Sequence, residues 1–153
     1  MRVENATRWS TAHITRIASE VVRREKLESA ASRLVVNVQT RPDPRFPRAI
    51  GYAYVGSMKD PEYRIWIVMP EVPTRTGHGD PVLLAHTIAH ELAHCRGLEH
   101  ADMAGRPEYA HLPGSRDIYR WAALYPLVWV PTSRHRMPGT SFNESITTRR
   151  CFA

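Results

Sequence analysis

Asp80-Pro-Val-Leu-Leu-Ala-His-Thr-Ile-Ala-His-Glu-Leu-Ala-His-Cys-Arg-Gly-Leu-Glu-His100 is the stretch on which the reading of this chain turns. Asp80 is a good helix N-cap and Pro81 a good first helical residue, and the largely apolar run Val82 to Leu92 contains neither Gly nor Pro. This predicts a buried helix that stops at Gly97, a residue suited to the left-handed conformation that closes helices. His90 and His94 are four residues apart, so one helix face aims both imidazoles at one point. Glu91 is rotated about 100° around the axis from His90, which puts it beside that point rather than on it. There it can take a proton from a water held by the metal. Once the chain doubles back at Gly97, His100 can arrive as a third ligand. Three protein ligands leave a position open for water, the arrangement of a catalytic rather than a structural zinc. The candidate site is therefore His90, His94 and His100 as metal ligands, Zn2+ as cofactor and Glu91 as catalytic base.

The bland alternatives are a satisfied polar cluster or a zinc that only staples the fold. A structural zinc has no use for a glutamate at position 91. The glycine and third histidine at fixed spacing also lower the chance rate to on the order of 10⁻⁸ per position at average residue usage, too rare for coincidence.

His90-Glu-Leu-Ala-His-Cys-Arg-Gly-Leu-Glu-His100 resembles the extended zinc-binding signature of the metzincin clan of metallopeptidases, and residues 88–94 resemble the active-site helix of zincins generally. The resemblance covers roughly residues 80–103. It implies that His90, His94 and His100 hold zinc and that Glu91 is the general base. It also implies a methionine in a turn beneath the metal, for which Met103 and Met137 are the two positions open. In such folds the last strand before the metal helix often borders the cleft, where a free sheet edge binds an extended peptide through main-chain hydrogen bonds.

Working outward, Thr7 to Ser32 reads as one long amphipathic helix, with Trp9, Ile14, Ile17, Ala18, Val21 and Val22 on its apolar face. Three strands follow: Arg33 to Thr40, Ala49 to Val55 and Tyr63 to Met69, the last alternating Ile65, Ile67 and Met69 with Arg64, Trp66 and Val68. The Pro-rich segment Arg41 to Pro47 cannot join a ladder. Beyond His100, Ala101 to Gly114 reads as a loop and Arg116 to Leu127 as a helix capped by Ser115, with Ile118, Tyr119, Trp121, Ala122 and Tyr125 facing the core. Val128 to Val130 is a short apolar cover. The fold expected is α+β and zincin-like: a long N-terminal helix, a small mixed β-sheet, the metal helix and a C-terminal helix. Residues 1–130 form the catalytic domain, and 131–153 a basic C-terminal tail expected to be partly disordered unless a partner orders it.

At 153 residues the chain can bury a core without staples, and 42% hydrophobic and 24% charged residues are ordinary for a globular domain. No apolar stretch is long enough for a membrane span, and the N-terminus lacks a signal-type apolar core, so a cytoplasmic or virion-associated protein without membrane contact is expected. Cys95 and Cys151 do not suggest a disulfide framework; Cys95 reads as a packed thiol. The net charge of +6 comes almost entirely from arginine and is spread along the chain, which leaves a nucleic-acid partner open without favouring it.

Near the metal, Tyr109, His111, Tyr119 and Arg120 are candidates to stabilise an oxyanion, and Glu99 or Asp102 to orient a ligand imidazole. His86 lies one turn before His90 and reads as a supporting group rather than a fourth ligand; His111 is a substitute third ligand should His100 not arrive. The function these residues predict is a zinc-dependent endopeptidase acting on a peptide or protein substrate. Two alternatives stand beside it. The small bacterial endoribonucleases that mature ribosomal RNA share the three-histidine spacing but carry a small residue where this chain has Glu91, so Glu91 favours the peptidase. The other is a non-catalytic phage or assembly component with a zincin fold, against which the intact base and ligands argue.

Overall fold

The computed structural model describes residues 1–70, 79–110, 112, 114–128 and 130. The fold is mixed α+β: a four-stranded sheet with several helices. The strands are β1 (Arg2–Asn5), β2 (Leu34–Gln39), β3 (Gly51–Ala53) and β4 (Tyr63–Val68), in the order β1-β2-β4-β3. β1, β2 and β4 run parallel, and β3 pairs antiparallel to β4. The helices are α1 (Thr11–Arg24), the one-turn α2 (Glu28–Ala31), α3 (Pro81–Cys95) and the one-turn α4 (His100–Met103). Short 3₁₀ segments cover Ser57–Lys59 and Ser115–Leu124.

Register explains the core. Leu34, Val36 and Val38 of β2 pair with Tyr63, Ile65 and Ile67 of β4, so the period-two alternation puts all six on one face of the sheet. That face packs with Ile14, Ile17 and Val21 of α1 and with Ile88 and Leu92 of α3 in one buried cluster. Each such side chain contributes roughly 1.5–3 kcal/mol by leaving water. On the outer face Tyr52 stacks on Trp66 with centroids 4.9 Å apart, and Tyr54 meets Trp66 edge-on.

The N-terminal region departs from the single helix expected over Thr7 to Ser32. Residues 2–5 form a strand, which the charged sequence Arg2-Val-Glu-Asn did not advertise and which exists because β2 offers it a parallel partner. Asn5 then holds a turn: its carboxamide oxygen accepts from Thr7 N, and its NH₂ donates to the Trp9 carbonyl and to Thr11 Oγ1. These short polar side chains outcompete helical bonding until Ser10, whose hydroxyl caps α1. Trp9 precedes the helix instead of lying on it, and its indole donates to the Pro70 carbonyl. α1 closes in a Schellman motif, with Lys26 N donating to the Arg23 carbonyl and Leu27 N to that of Val22. This puts Lys26 at φ 56°, where a side chain is strained. Lys26→Gly is expected to stabilise the protein by about 0.5–1 kcal/mol, raising the melting temperature by about 1–4 °C in a thermal scan.

The segment Ser115–Leu124 winds as a 3₁₀ helix rather than the α-helix expected. At three residues per turn the buried row is Tyr119 and Ala122, with Tyr125 half-buried beyond them. Ile118 shares a core face with Tyr119 and Ala122 only at 3.6 residues per turn, and here it is 44% exposed. Ser115 does not cap this helix; its hydroxyl donates to the Ala110 carbonyl and accepts from Leu112 N. Val128 and Val130 are exposed, and their backbones bond to Ser10 and Arg8. Among the described residues no helix is long and apolar enough to cross a membrane. The expected tail over 131–153, with Met137 and Cys151, lies outside the described residues, as do His111 and Trp129.

Candidate metal centre

α3 begins where its sequence directs. The Asp80 carboxylate accepts from Val82 N at 2.8 Å and Pro81 occupies the first turn. The helix is buried on most of its circumference, from Leu84 to Cys95, because it lies between the sheet, α1 and the 3₁₀ segment at Ser115–Leu124. It ends in the same Schellman motif as α1, with Gly97 N bonded to the His94 carbonyl and Leu98 N to that of Ala93. Here the strained position is a glycine at φ 101°. The chain then reverses into α4, where Asp102 accepts from Glu99 N in a reciprocal capping box. His100 is the first residue of α4, so the glycine stop and the capping box together carry it back over α3.

His90, His94 and His100 converge, with their ligand atoms all within 4.8 Å of one another. His100 Nε2 lies 3.3 Å from His90 Nε2 and 3.3 Å from His94 Nε2. Tetrahedral zinc with bonds of about 2.0–2.1 Å sets ligand nitrogens about 3.3 Å apart. The other ring nitrogens fix the chemistry. His90 Nδ1 lies 2.8 Å from the Tyr109 carbonyl and His94 Nδ1 2.8 Å from the Leu98 carbonyl. A carbonyl only accepts, so each Nδ1 carries the proton and each Nε2 turns a lone pair toward His100. With the Nε2 lone pairs of His90 and His94 turned toward His100 Nε2 at metal-ligand spacing, the three residues fit a divalent metal.

Burial holds the His94 imidazole below its ordinary pKa, favouring the neutral form a ligand needs. His86 is buried against the Tyr119 ring, with centroids 5.0 Å apart, and is not part of the convergent group.

Glu91 is 3% exposed, and its Oε2 has no hydrogen-bond partner among the described residues. Burial pushes its carboxyl up to about 8. It faces β3, and Gly51 is the reason the strand can come so close. A Cβ at position 51 would lie 2.6 Å from Glu91 Oε1 and 2.8 Å from Thr87 Cγ2. Sequence reading passed over Gly51, although an isolated glycine within a strand pattern is the usual sign of close backbone approach. Thr87 cannot yield easily, since its hydroxyl donates to the Leu83 carbonyl at 2.8 Å. Gly51→Ala is expected to cost about 1–3 kcal/mol through overpacking, read as a lowered melting temperature.

Compared with known proteins, the chain matches no family model, no curated protein and no solved structure.

Several supporting roles fall to other groups than those expected. The His90 and His94 imidazoles are oriented by the carbonyls of Tyr109 and Leu98, while Glu99 and Asp102 close the turn that presents His100. The Tyr109 hydroxyl is committed to Glu25 and Arg96, and that of Tyr119 donates to the Glu108 carbonyl. Arg120 is exposed and paired with Asp117. The two phenols are thus engaged within the protein, while Arg120 lies in a surface pair. Met103 is buried in the core, and Cys95 is a packed thiol whose burial pushes it up to about 11. The strand bordering α3 at the sheet edge is β3; β4, the last strand before the helix, lies inside the sheet between β2 and β3.

Proposed function

We propose that this protein is a zinc-dependent endopeptidase of zincin-like architecture. The observation that carries the reading is the convergence of three imidazoles, two with their proton-bearing nitrogens tied to carbonyls, beside the helix that also bears Glu91, buried and with its Oε2 unpartnered among the described residues. His90, His94 and His100 would hold the zinc, which would supply Lewis acidity toward a carbonyl and toward water. Glu91 takes the proton from the attacking water and returns it to the leaving amine, which lets one carboxylate serve both halves of the reaction. Its burial raises the basicity available to it. The edge strand β3 lies against α3 at Glu91, and an extended peptide pairing with that edge would run past the base.

Charge placement supports a peptide over a polyanion as substrate. Arg2, Arg23, Arg45, Arg64, Arg96 and Arg116 each sit beside a carboxylate, so the positive excess does not gather into a bare basic face among them.

The test is cleavage of a diverse peptide library, profiled by mass spectrometry, with zinc-loaded wild type and Glu91→Gln in parallel. Cuts made by the wild type and absent from the variant support the reading. A zinc-holding protein that cuts no peptide overturns it, and cleavage of RNA by the same preparation would move the centre to the nuclease class.

A further inference from the structure

Two helix ends meet near the metal centre. α1 closes at Glu25 and α3 at Arg96, each through the same C-terminal motif, and Arg96 Nη1 lies 3.3 Å from Glu25 Oε2. The Tyr109 hydroxyl joins both, donating to Glu25 Oε2 at 2.8 Å and accepting from Arg96 Nη1 at 3.1 Å. Tyr109 is 6% exposed, and the Glu25 side chain 15%. The other end of the same residue meets the metal site, because the Tyr109 carbonyl is the acceptor for His90 Nδ1.

The backbone that carries this carbonyl belongs to no regular helix or strand. Over residues 104–110 it is held by turn bonds, such as Ala110 N to the Arg106 carbonyl at 2.7 Å, and by the Tyr119 hydroxyl on the Glu108 carbonyl. The Tyr109 phenol references the segment to the ends of the two long helices, one of which bears His90 itself.

We propose that Tyr109, clasped by Glu25 and Arg96, is a positioning residue for the first metal ligand. It registers the segment around residue 109 against α1 and α3, fixing the carbonyl that orients the His90 ring and keeps its Nε2 turned toward His94 and His100. The proposal rests on the metal-centre reading but not on which bond the centre cleaves. Linkage makes the effect reciprocal: if the clasp raises metal affinity, bound metal tightens the docking of the segment by the same factor.

The experiment measures zinc affinity by competition with a chromophoric chelator, and the melting temperature of the metal-free protein, for wild type, Tyr109→Phe, Glu25→Ala and Glu25→Gln. Tyr109→Phe keeps the ring and removes only the hydroxyl. Loss of an outer partner weakens metal binding by roughly 10–100-fold; here the carbonyl is loosened rather than removed, so about tenfold is expected for Tyr109→Phe and Glu25→Ala. Glu25→Gln still offers an oxygen to the phenol and is expected to stay close to wild type. With cobalt in place of zinc, the visible spectrum of Tyr109→Phe should change shape as the His90 ring reorients.

A merely structural clasp would lower the metal-free melting temperature and leave the zinc dissociation constant and cobalt spectrum unchanged, which overturns the proposal. Should Tyr109→Phe fail to fold, the two Glu25 variants decide it. A wild type that holds no zinc removes the metal centre itself; equal binding by wild type and variants removes only the positioning role.

Discussion

Glu91→Gln is expected to lower zinc-dependent peptide hydrolysis by about 10²–10⁴-fold, the usual contribution of a positioned acid–base group, while zinc affinity and fold are retained. The substitution is nearly isosteric and enters a site where Glu91 is 3% exposed and its Oε2 has no hydrogen-bond partner among the described residues. Among the described residues no ion pair holds the Glu91 carboxylate, so the change breaks none, and packing around Thr87 and Gly51 should survive. What is lost is the capacity to hold and release a proton. The separation to look for is a collapse in kcat with an unchanged zinc dissociation constant. Loss of zinc together with activity would instead mean that Glu91 supports the ligands.

Zinc itself is expected to stabilise the wild type, and His100→Ala to abolish that stabilisation. A ligand at a hundredfold excess over its dissociation constant contributes about 2.7 kcal/mol. For a domain of this size that is about 5–10 °C in melting temperature. His100 is the cleanest of the three positions to test: it is exposed at the start of a one-turn helix, whereas His94 is 8% exposed and its removal would also leave a cavity. In His100→Ala zinc affinity should fall by more than the roughly 10–100-fold that loss of an outer partner costs, and the melting curves with and without zinc should coincide. A full zinc-induced shift in the variant would show that another group completes the site. A wild-type curve indifferent to zinc would remove the metal centre altogether.

How much of this was legible beforehand depended on whether the deciding interactions were local. The N-cap at Asp80, the proline after it, the i,i+4 histidines and the glycine stop at position 97 all act within one or two helical turns, and α3 follows them closely. The same holds for β2 and β4, whose β-branched and alternating residues mark them. Convergence of His100 on His90 and His94 was readable because only the short turn through Leu98 and Glu99 separates α3 from α4.

Other features were settled by partners distant in the chain. β1 has no strand signature and forms because β2 supplies the missing half of its ladder. Lys26 occupies a left-handed position that its own preference opposes, held there by the surrounding motif. Gly51 matters only because strand β3 passes over Glu91, 40 residues later in the numbering. Tyr109 was one of four candidates to stabilise an oxyanion, yet Glu25 captures its hydroxyl and leaves the carbonyl to His90. The sequence alone determined which side chains could form a metal centre, because their spacing is written into helix geometry. Tertiary structure decided what orients those side chains and what lies against Glu91, because backbone carbonyls and close strand approaches are set by packing between segments and carry little mark in residue type.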